Sequence, residues 1–564
     1  MNSFRQEALD VLSRHTGLDT EKIDTLLERP PKSDLGDFAF PCFQLAKELK
    51  KAPPQIAEEL AEKVAGELEL LTEARALGPY LNLFVNRQEF ARSILHDPGA
   101  LEEDIGTSSE GEGKVIAIDF SSPNIAKPFH VGHLRSTIIG STLYRIFASL
   151  GYECVGINHL GDWGTQFGKQ IVGLKHWGEE KDLEDLDALN SLYVRYHEEE
   201  EKNPALADEA REWFRRQEDG DPEALALWEK IRQTSLDYFK KIYDRLSVRF
   251  DHYTGESFFN DKMDAVVDRA DSLGLTSVSD GALVIDLEPH GIDTPALLRK
   301  ADGATLYMTR DLAAACHRHE TYKFEKLLYV VGTAQSLHFR QLFKTLELME
   351  ETWAKDCVHV NFGLVQGMSS RKGNVIYLEE LLDEARNRAQ EYMSANVDKR
   401  PELEDEEAVA EAVGIAAIFF SDLSKQRIKD YNFSWERAIS FEGDTGPYLM
   451  NAHARIAGII RKCGVEVDPE ADITLLQEQS AHDLVSLVSR YTDALREAAK
   501  NFEPSILAAY LLDLSRALHS GYKELRVKDE EEKLAAARLL LLAVVKNVLA
   551  SGMRILGIKP LEKM

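Results

Sequence analysis

Apolar and polar positions change period along this chain, and the changes divide it. The first ~100 residues mix short stretches of helical spacing with a loop-like segment, PPKSDLGDFAFPC, and a strand-like run, YLNLFVN (Tyr80 to Asn86). A polar, glycine-rich stretch, EEDIGTSSEGEGK, then reads as a domain boundary. Directly after it, VIAIDF (Val115 to Phe120) is apolar and β-branched, a helical pattern runs from His133 to Leu150, and YECVGINH is again strand-like. Strand, loop, helix and strand in that order open a parallel α/β sheet.

Residues from about 177 to 250 carry dense charge at helical spacing and predict a helical insertion. The sheet pattern is expected to resume at ALVIDL (Ala282 to Leu287), KLLYVVG (Lys326 to Gly332) and VHVNFGLV (Val358 to Val365). From about Glu379 onward the spacing is helical, and the last ~130 residues predict an all-α bundle. No internal repeat is evident, and the acidic run PELEDEE reads as a solvated helix start or loop. The expected fold class is therefore α/β: a Rossmann-like parallel-sheet catalytic domain (106–435) with its insertion, an α/β N-terminal module (1–105) and an all-α C-terminal domain (436–564).

At 564 residues the chain exceeds what one core supports. Its 44% hydrophobic and 29% charged residues fit an ordinary globular protein. No uninterrupted apolar stretch approaches the ~18 residues that span a bilayer, since Leu539 to Val545 is bounded by Arg538 and Lys546. The N-terminal sequence shows no apolar secretory core, so a cytoplasmic protein with no membrane association is expected. Five cysteines lie far apart without paired spacing, and free thiols with no protein-bound zinc are expected.

A net charge of −29 argues against a polyanionic partner, yet the charge is uneven. Trp177 to Lys230 holds 7 basic and 18 acidic residues, whereas Phe441 to Met564 holds 16 basic and 18 acidic. Nucleic-acid contact is least compatible with the insertion and more compatible with the C-terminal region.

In SSPNIAKPFHVGHLRS, His130 and His133 stand where the first strand of the sheet hands over to a helix, a place where an anion can use a helix N-terminus. A helix-capping histidine in an ordinary loop has the same local sequence, so the surroundings decide. The pattern resembles the His-Ile-Gly-His motif of class I aminoacyl-tRNA synthetases, with Val131 in place of isoleucine. That resemblance implies histidines under the ATP phosphates and Gly132 leaving room for the adenine. The second motif of the class, Lys-Met-Ser-Lys-Ser, has a counterpart in Gly367-Met368-Ser369-Ser370-Arg371-Lys372-Gly373, just after VHVNFGLV. Both motif lysines are replaced, by Gly367 and Ser370, so charge on the leaving pyrophosphate needs another cation. Arg371, Lys372 and Lys127 are the candidates, beside the alternative that each is a solvated surface cation.

The blocks DFSSPNIAKPFHVGHLRSTIIG, NHLGDWGTQFG, LYMTRDLAAA and FEGDTGPYLMNAHARI, with KSDLGDFAF and GMRILGIKPLEKM, resemble arginyl-tRNA synthetases over nearly the whole chain, most closely the eukaryote-like branch. The resemblance implies ATP with Mg²⁺, L-arginine and tRNA(Arg) as reactants, activation that needs bound tRNA, and a monomer. A guanidinium presents five N–H donors in a plane, best met by fixed carboxylates. By resemblance Tyr307 and Asp311, one helical turn apart, read it together with Glu256; the alternative for Asp311 is a helix-start acid. Asp119, Ser121 or Ser122, Asn124 and Gln335 are expected at the α-amino and carboxylate end. Asp119 closes a strand, where an unpaired buried acid is costly, so a cationic ligand beside it makes sense. In NHLGDWGTQFG, His159 and Asp162 are expected near the site, and Trp163 and Phe167 as core anchors. Tyr80 and Asn82 match the pair that meets the tRNA elbow, while Tyr448, Asn451, Arg455, Tyr510 and Tyr522 are candidates for the anticodon stem and loop. Buried helix-packing tyrosines are the alternative for the latter group.

Four other readings compete. A nucleotidylyltransferase would share the phosphate motif but not the flanking ~100-residue modules. A non-catalytic tRNA-binding paralogue conflicts with the retained histidines and substrate acids, and the Tyr307, Asp311 and Glu256 set argues against a class I synthetase for another amino acid. A Rossmann oxidoreductase lacks its GxGxxG after the first strand.

Overall fold

The structure is a computed structural model that describes residues 2–30, 33–301, 307–366, 377–396 and 401–564. The N-terminal module is an antiparallel sheet of β1 (Phe38–Pro41), β2 (Leu71–Leu77) and β3 (Tyr80–Val85) in the order β1-β3-β2, packed with helices that include Asn2–Thr16 and Pro53–Val64. In the central β3, period-two alternation sends Leu81, Leu83 and Val85 into the core. The segment expected as a loop contains β1, all four residues of which are buried. Pro41 is tolerated there because β1 is an edge strand.

Four strands form the parallel sheet: β4 (Val115–Asp119), β5 (Glu153–Ile157), β9 (Lys326–Tyr329) and β10 (Cys357–His359), in the order β10-β9-β4-β5. The chain leaves β4 towards β5 on one side and later places β9 on the other. The crevice beyond the carboxyl ends of β4 and β9 is thus the topological switch point, where ligands bind in such sheets.

ALVIDL does not rejoin this sheet, contrary to expectation. It forms β7 (Ala282–Ile285), the middle of an antiparallel sheet with β6 (Thr276–Ser279) and β8 (Ala296–Arg299). The cause is Asp280-Gly281, both with positive φ (50° and 80°), which closes a two-residue hairpin and forces antiparallel pairing. VHVNFGLV is also divided. Only its start joins the sheet, and β11 (Val365–Gln366) pairs with β12 (Tyr431–Asn432).

Between β5 and β6 lie the helices Leu186–Glu200, Ala205–Glu218 and Pro222–Arg245. Asp185 and Asp221 cap the first and third, and Pro222 occupies the first turn, where its missing N–H costs nothing. They pack on the helix Thr165–Trp177, where a Cβ at Gly168 would collide with the Ala210 carbonyl oxygen.

The C-terminal bundle contains Gly446–Cys463, Gln479–Val488, Tyr491–Asn501, Ser505–Gly521 and Glu532–Ile555. The last is long and apolar enough by composition to cross a membrane, but 72% of its apolar window is buried inside the protein, where it is the bundle's central helix. The stretch read as a boundary is fastened to this bundle. Ser551 donates to the Ile105 carbonyl (3.1 Å), Arg554 to that of Glu103 (3.1 Å), and Arg496 pairs with Glu110 (2.8 Å). The N-terminal module also touches the bundle, with the His482 ring 3.8 Å from Asp37 and edge-on to Phe90.

Candidate active site

At the end of β4 the backbone turns through two consecutive left-handed residues, Ser121 (φ 70°) and Ser122 (φ 47°). A conformation this costly for residues with a Cβ needs the surroundings to impose it. Buried hydrogen bonds do so: Ser136 Oγ accepts from the Ser121 N–H (2.8 Å) and donates to the Val330 carbonyl (2.6 Å), while the Ser121 hydroxyl meets Thr137 (2.8 Å) and the Tyr243 hydroxyl (2.7 Å). The helix Leu134–Ser149 and β9 are thereby fixed to the β4 turn.

Asp119 is not an unpaired acid. Arg318, 2% exposed, places Nη2 2.8 Å from its Oδ2, and the Ser122 hydroxyl donates to its Oδ1 (2.9 Å). The burial argument that favoured a cationic ligand beside Asp119 is answered within the protein, since an internal guanidinium already pairs with it.

His130 caps the turn Val131–His133, its Nδ1 accepting from the Gly132 N–H (3.1 Å), and the helix Leu134–Ser149 follows. A Cβ on Gly132 would press on the His130 ring at 2.7 Å, so glycine is needed for that ring to lie over the turn. The His130 and His133 rings are 4.0 Å apart, and Phe129 stacks on His133 at 5.2 Å. Burial, helped by the Lys127 charge, pulls His130 below the usual imidazole range. Burial and its neighbour His130 bring His133 down to about 3, and its Nδ1 is buried without a hydrogen-bond partner. Two neutral imidazoles at a helix N-terminus, one with an unused ring nitrogen, suit hydrogen bonding to phosphate oxygen. Lys127 is a cation nearby, with its Nζ 5.3 Å from the Tyr193 ring centroid.

Tyr307 and Asp311 begin the helix Tyr307–Tyr322, with Tyr307 67% exposed. Burial pushes the Asp311 carboxyl up, but His338, 2.6 Å from Oδ2, and His159, 3.9 Å from Oδ1, together with Arg318 hold it below the usual value. Glu256 begins the turn Glu256–Phe259 and is pushed up to about 7 by burial, against the pull of Arg310 (3.5 Å) and with the added repulsion of Asp311 and Asp162. Asp162, fully buried, is a positioning group: it accepts from the Ser257 N–H (2.8 Å) and hydroxyl (2.9 Å) and pairs with Arg232 (3.0 Å). Asn124 and Gln335 are exposed, after the ends of β4 and β9, and a Cβ at Gly161 would strike Asn124 Oδ1. Phe167 is fully buried, and Trp163 packs edge-on against Trp228 at 5.6 Å.

The sequence reading missed Arg318, His338 and Arg310. Arg318 was accessible, being seven residues after Asp311 and so on the same helix face. His338 follows Gln335 by three residues but belongs to another helix, Ser336–Leu348, which only the fold brings to Asp311.

Met368, Ser369, Ser370, Arg371 and Lys372 lie outside the described residues. Among the tRNA candidates, Tyr80 is half-buried beside the exposed Phe43 (5.7 Å), whereas Asn82 is 4% exposed, contrary to its expected availability. It pairs in the sheet between Ala39 and Arg75, and the Gly36 backbone covers it. Tyr448, Asn451 and Arg455 share one face of Gly446–Cys463. Tyr448 stacks on His519 (4.8 Å) and Arg455 on Tyr522 (4.9 Å). Tyr510 departs from this group: it is buried, stacks on Tyr491 and donates to the Leu487 carbonyl (2.9 Å), so it is a packing residue and not an exposed contact.

With a phosphate-type turn at the switch point of a parallel sheet, flanked by a helical bundle, the chain matches three family models. These are tRNA synthetases class I (R), catalytic domain, over residues 98–435; DALR anticodon binding domain over 449–564; and Arginyl tRNA synthetase N terminal domain over 2–85. The chain belongs to the class I aminoacyl-tRNA synthetases. It is 45% identical to the arginine–tRNA ligase of Alkaliphilus metalliredigens and 43% to that of Halothermothrix orenii, each over 100% of both chains. Among solved structures it matches Thermus thermophilus arginyl-tRNA synthetase over 100% of both chains (TM-score 0.82, 26% identity). It matches the Plasmodium falciparum enzyme over 95% of this chain and 94% of that one (0.82, 25%). Within its class, the chain is a member of the arginyl-tRNA synthetase family.

Proposed function

We propose that this arginine–tRNA ligase forms arginyl-adenylate at the crevice between β4 and β9 and transfers the arginyl group to tRNA(Arg) there. The observation that carries this reading is the pairing of the His130 and His133 rings, 4.0 Å apart where the helix Leu134–Ser149 begins, with a separate pair of carboxylates, Glu256 and Asp311, at the starts of two other elements. An arginine carboxylate oxygen attacks the α-phosphorus of MgATP, the bond to the bridging oxygen breaks, and pyrophosphate leaves with the electron pair. Magnesium enters with the triphosphate, held by phosphate oxygens. The imidazoles donate hydrogen bonds to phosphate, and Lys127, with Arg371 and Lys372 of the signature segment, neutralises developing charge. Met368, Ser369 and Ser370 complete the nucleotide contacts in this proposal.

Glu256, Asp311 and Tyr307 read the guanidinium; Asn124, Gln335, Ser122 and the Asp119–Arg318 pair define the α-amino and carboxylate end. The terminal ribose hydroxyl of tRNA then attacks the arginyl carbonyl, AMP leaves with the electron pair of the broken C–O bond, and the hydroxyl proton passes to solvent. No protein nucleophile is used. Tyr80 with Phe43, and the face of Tyr448, Asn451, Arg455 and Tyr522, hold the tRNA at its elbow and anticodon arm. The enzyme works as a cytoplasmic monomer without a membrane partner.

ATP–pyrophosphate exchange tests the reading, with arginine, lysine or glutamate and with or without total tRNA. Exchange with arginine and tRNA together is expected. Binding of tRNA without exchange for any amino acid would overturn it.

A further inference from the structure

We propose that Tyr193, on the inserted helix Leu186–Glu200, is a positioning residue that aims Lys127 at the ATP phosphates, so that the insertion completes the phosphate site; this rests on the role of Lys127 proposed above. The Lys127 ammonium lies 5.3 Å from the centroid of the Tyr193 ring, within the range of a cation–π contact. The same helix reaches the other flank of the His130 turn. Three residues before Tyr193, on the same helix face, Asn190 donates Nδ2 to the Tyr377 hydroxyl at 3.2 Å. Tyr377 forms an isolated antiparallel bridge with His130, and the next residue, Leu378, donates its N–H to the Phe129 carbonyl at 2.7 Å. One helix face therefore touches both the lysine that precedes the histidines and the residue, Tyr377, that bridges to His130.

The chemistry of the contact matters as much as its place. Trp177 to Lys230 carries 18 carboxylates, yet among the described residues none lies within 4 Å of the Lys127 ammonium, which meets a ring instead. A carboxylate partner would bind the ammonium through its N–H donors and repel a triphosphate. A π face narrows the rotamers of a flexible four-carbon stem while adding no negative charge. The acidic insertion can thus serve a polyanion site through an uncharged side chain.

The test is kcat and KM for ATP in arginine-dependent exchange, with the full chain and tRNA, for Lys127→Met, Tyr193→Leu, Tyr193→Phe and the Lys127→Met/Tyr193→Leu double variant. Tyr193→Leu should lower kcat about three- to fivefold, Tyr193→Phe should restore it to within about twofold, and the double variant should match Lys127→Met alone. Fluorinated phenylalanines at 193, which drain the π face while keeping its shape, should lower kcat in step with fluorine number. A normal rate for Tyr193→Leu beside a slow Lys127→Met, or a full extra loss in the double variant, would overturn the positioning role and leave Lys127 in place. An unchanged Lys127→Met would remove the role of Lys127 itself.

Discussion

His338 donates Nε2–H to Asp311 Oδ2 at 2.6 Å, joining the helix after β9 to the helix that begins at Tyr307. With this donor and the nearby His159, Asp311 stays ionised although burial opposes it. Removing the donor should therefore act on the amino acid and not on the nucleotide. His338→Leu is expected to raise KM for arginine about tenfold, the scale of one charge-assisted hydrogen bond, with KM for ATP unchanged. Exchange kinetics at varied arginine and fixed ATP check this, and His338→Gln should recover part of the loss.

Glu256 supplies a pH signature. Its carboxyl is raised to about 7 by burial, so below that pH it is increasingly protonated and cannot pair with a guanidinium. KM for arginine should rise as pH falls through about 7, while Glu256→Gln should show a high KM that is flat between about pH 6 and 8. The stability sign is opposite. Because the folded value lies above the unfolded one, this group adds stability as pH falls from about 7 towards about 4.5 and loses it as pH rises. Urea unfolding of the free enzyme at several pH values, with and without E256Q, separates the two effects.

Gly168→Ala should loosen the insertion, because its new Cβ meets the backbone oxygen of Ala210, which no rotamer change can move. A loss of about 1–3 kcal/mol is expected, in line with core overpacking, seen as a lower midpoint in urea unfolding. Exchange should slow as well if the helices of the insertion carry Tyr193 with them.

The tyrosines of the bundle divide by burial. Arg455→Ala and Tyr522→Ala should each raise KM for tRNA several-fold, about 1 kcal/mol for a stacked contact. Tyr510→Phe should leave it unchanged and cost about 1 kcal/mol of stability through the lost hydrogen bond to Leu487. Filter binding of tRNA and thermal unfolding distinguish the pair.

The strand at Val115, the turn at His130 and the helices after Glu379 were legible because period and turn chemistry are local. The hairpin at Asp280-Gly281 was equally local, and its turn signal outranks the apolar run beside it that suggested a parallel strand. What could not be read was pairing between distant residues. Asp119 finds Arg318, Asp311 finds His338 and Lys127 finds Tyr193, and each pair depends on where the fold puts a second element. Tyr510 and Tyr522 also look alike as letters, and only burial tells them apart.

The fastening of Glu103 to Glu110 onto the bundle gives the molecule a fixed gauge. A module hung on a loose tether would let an RNA of any span be gripped at both ends. With the Asp37–His482 contact as a second stop, the tRNA contacts proposed at Tyr80 and at Arg455 would act as the jaws of one caliper. A tRNA lengthened by one helical turn between elbow and anticodon would then lose one grip outright.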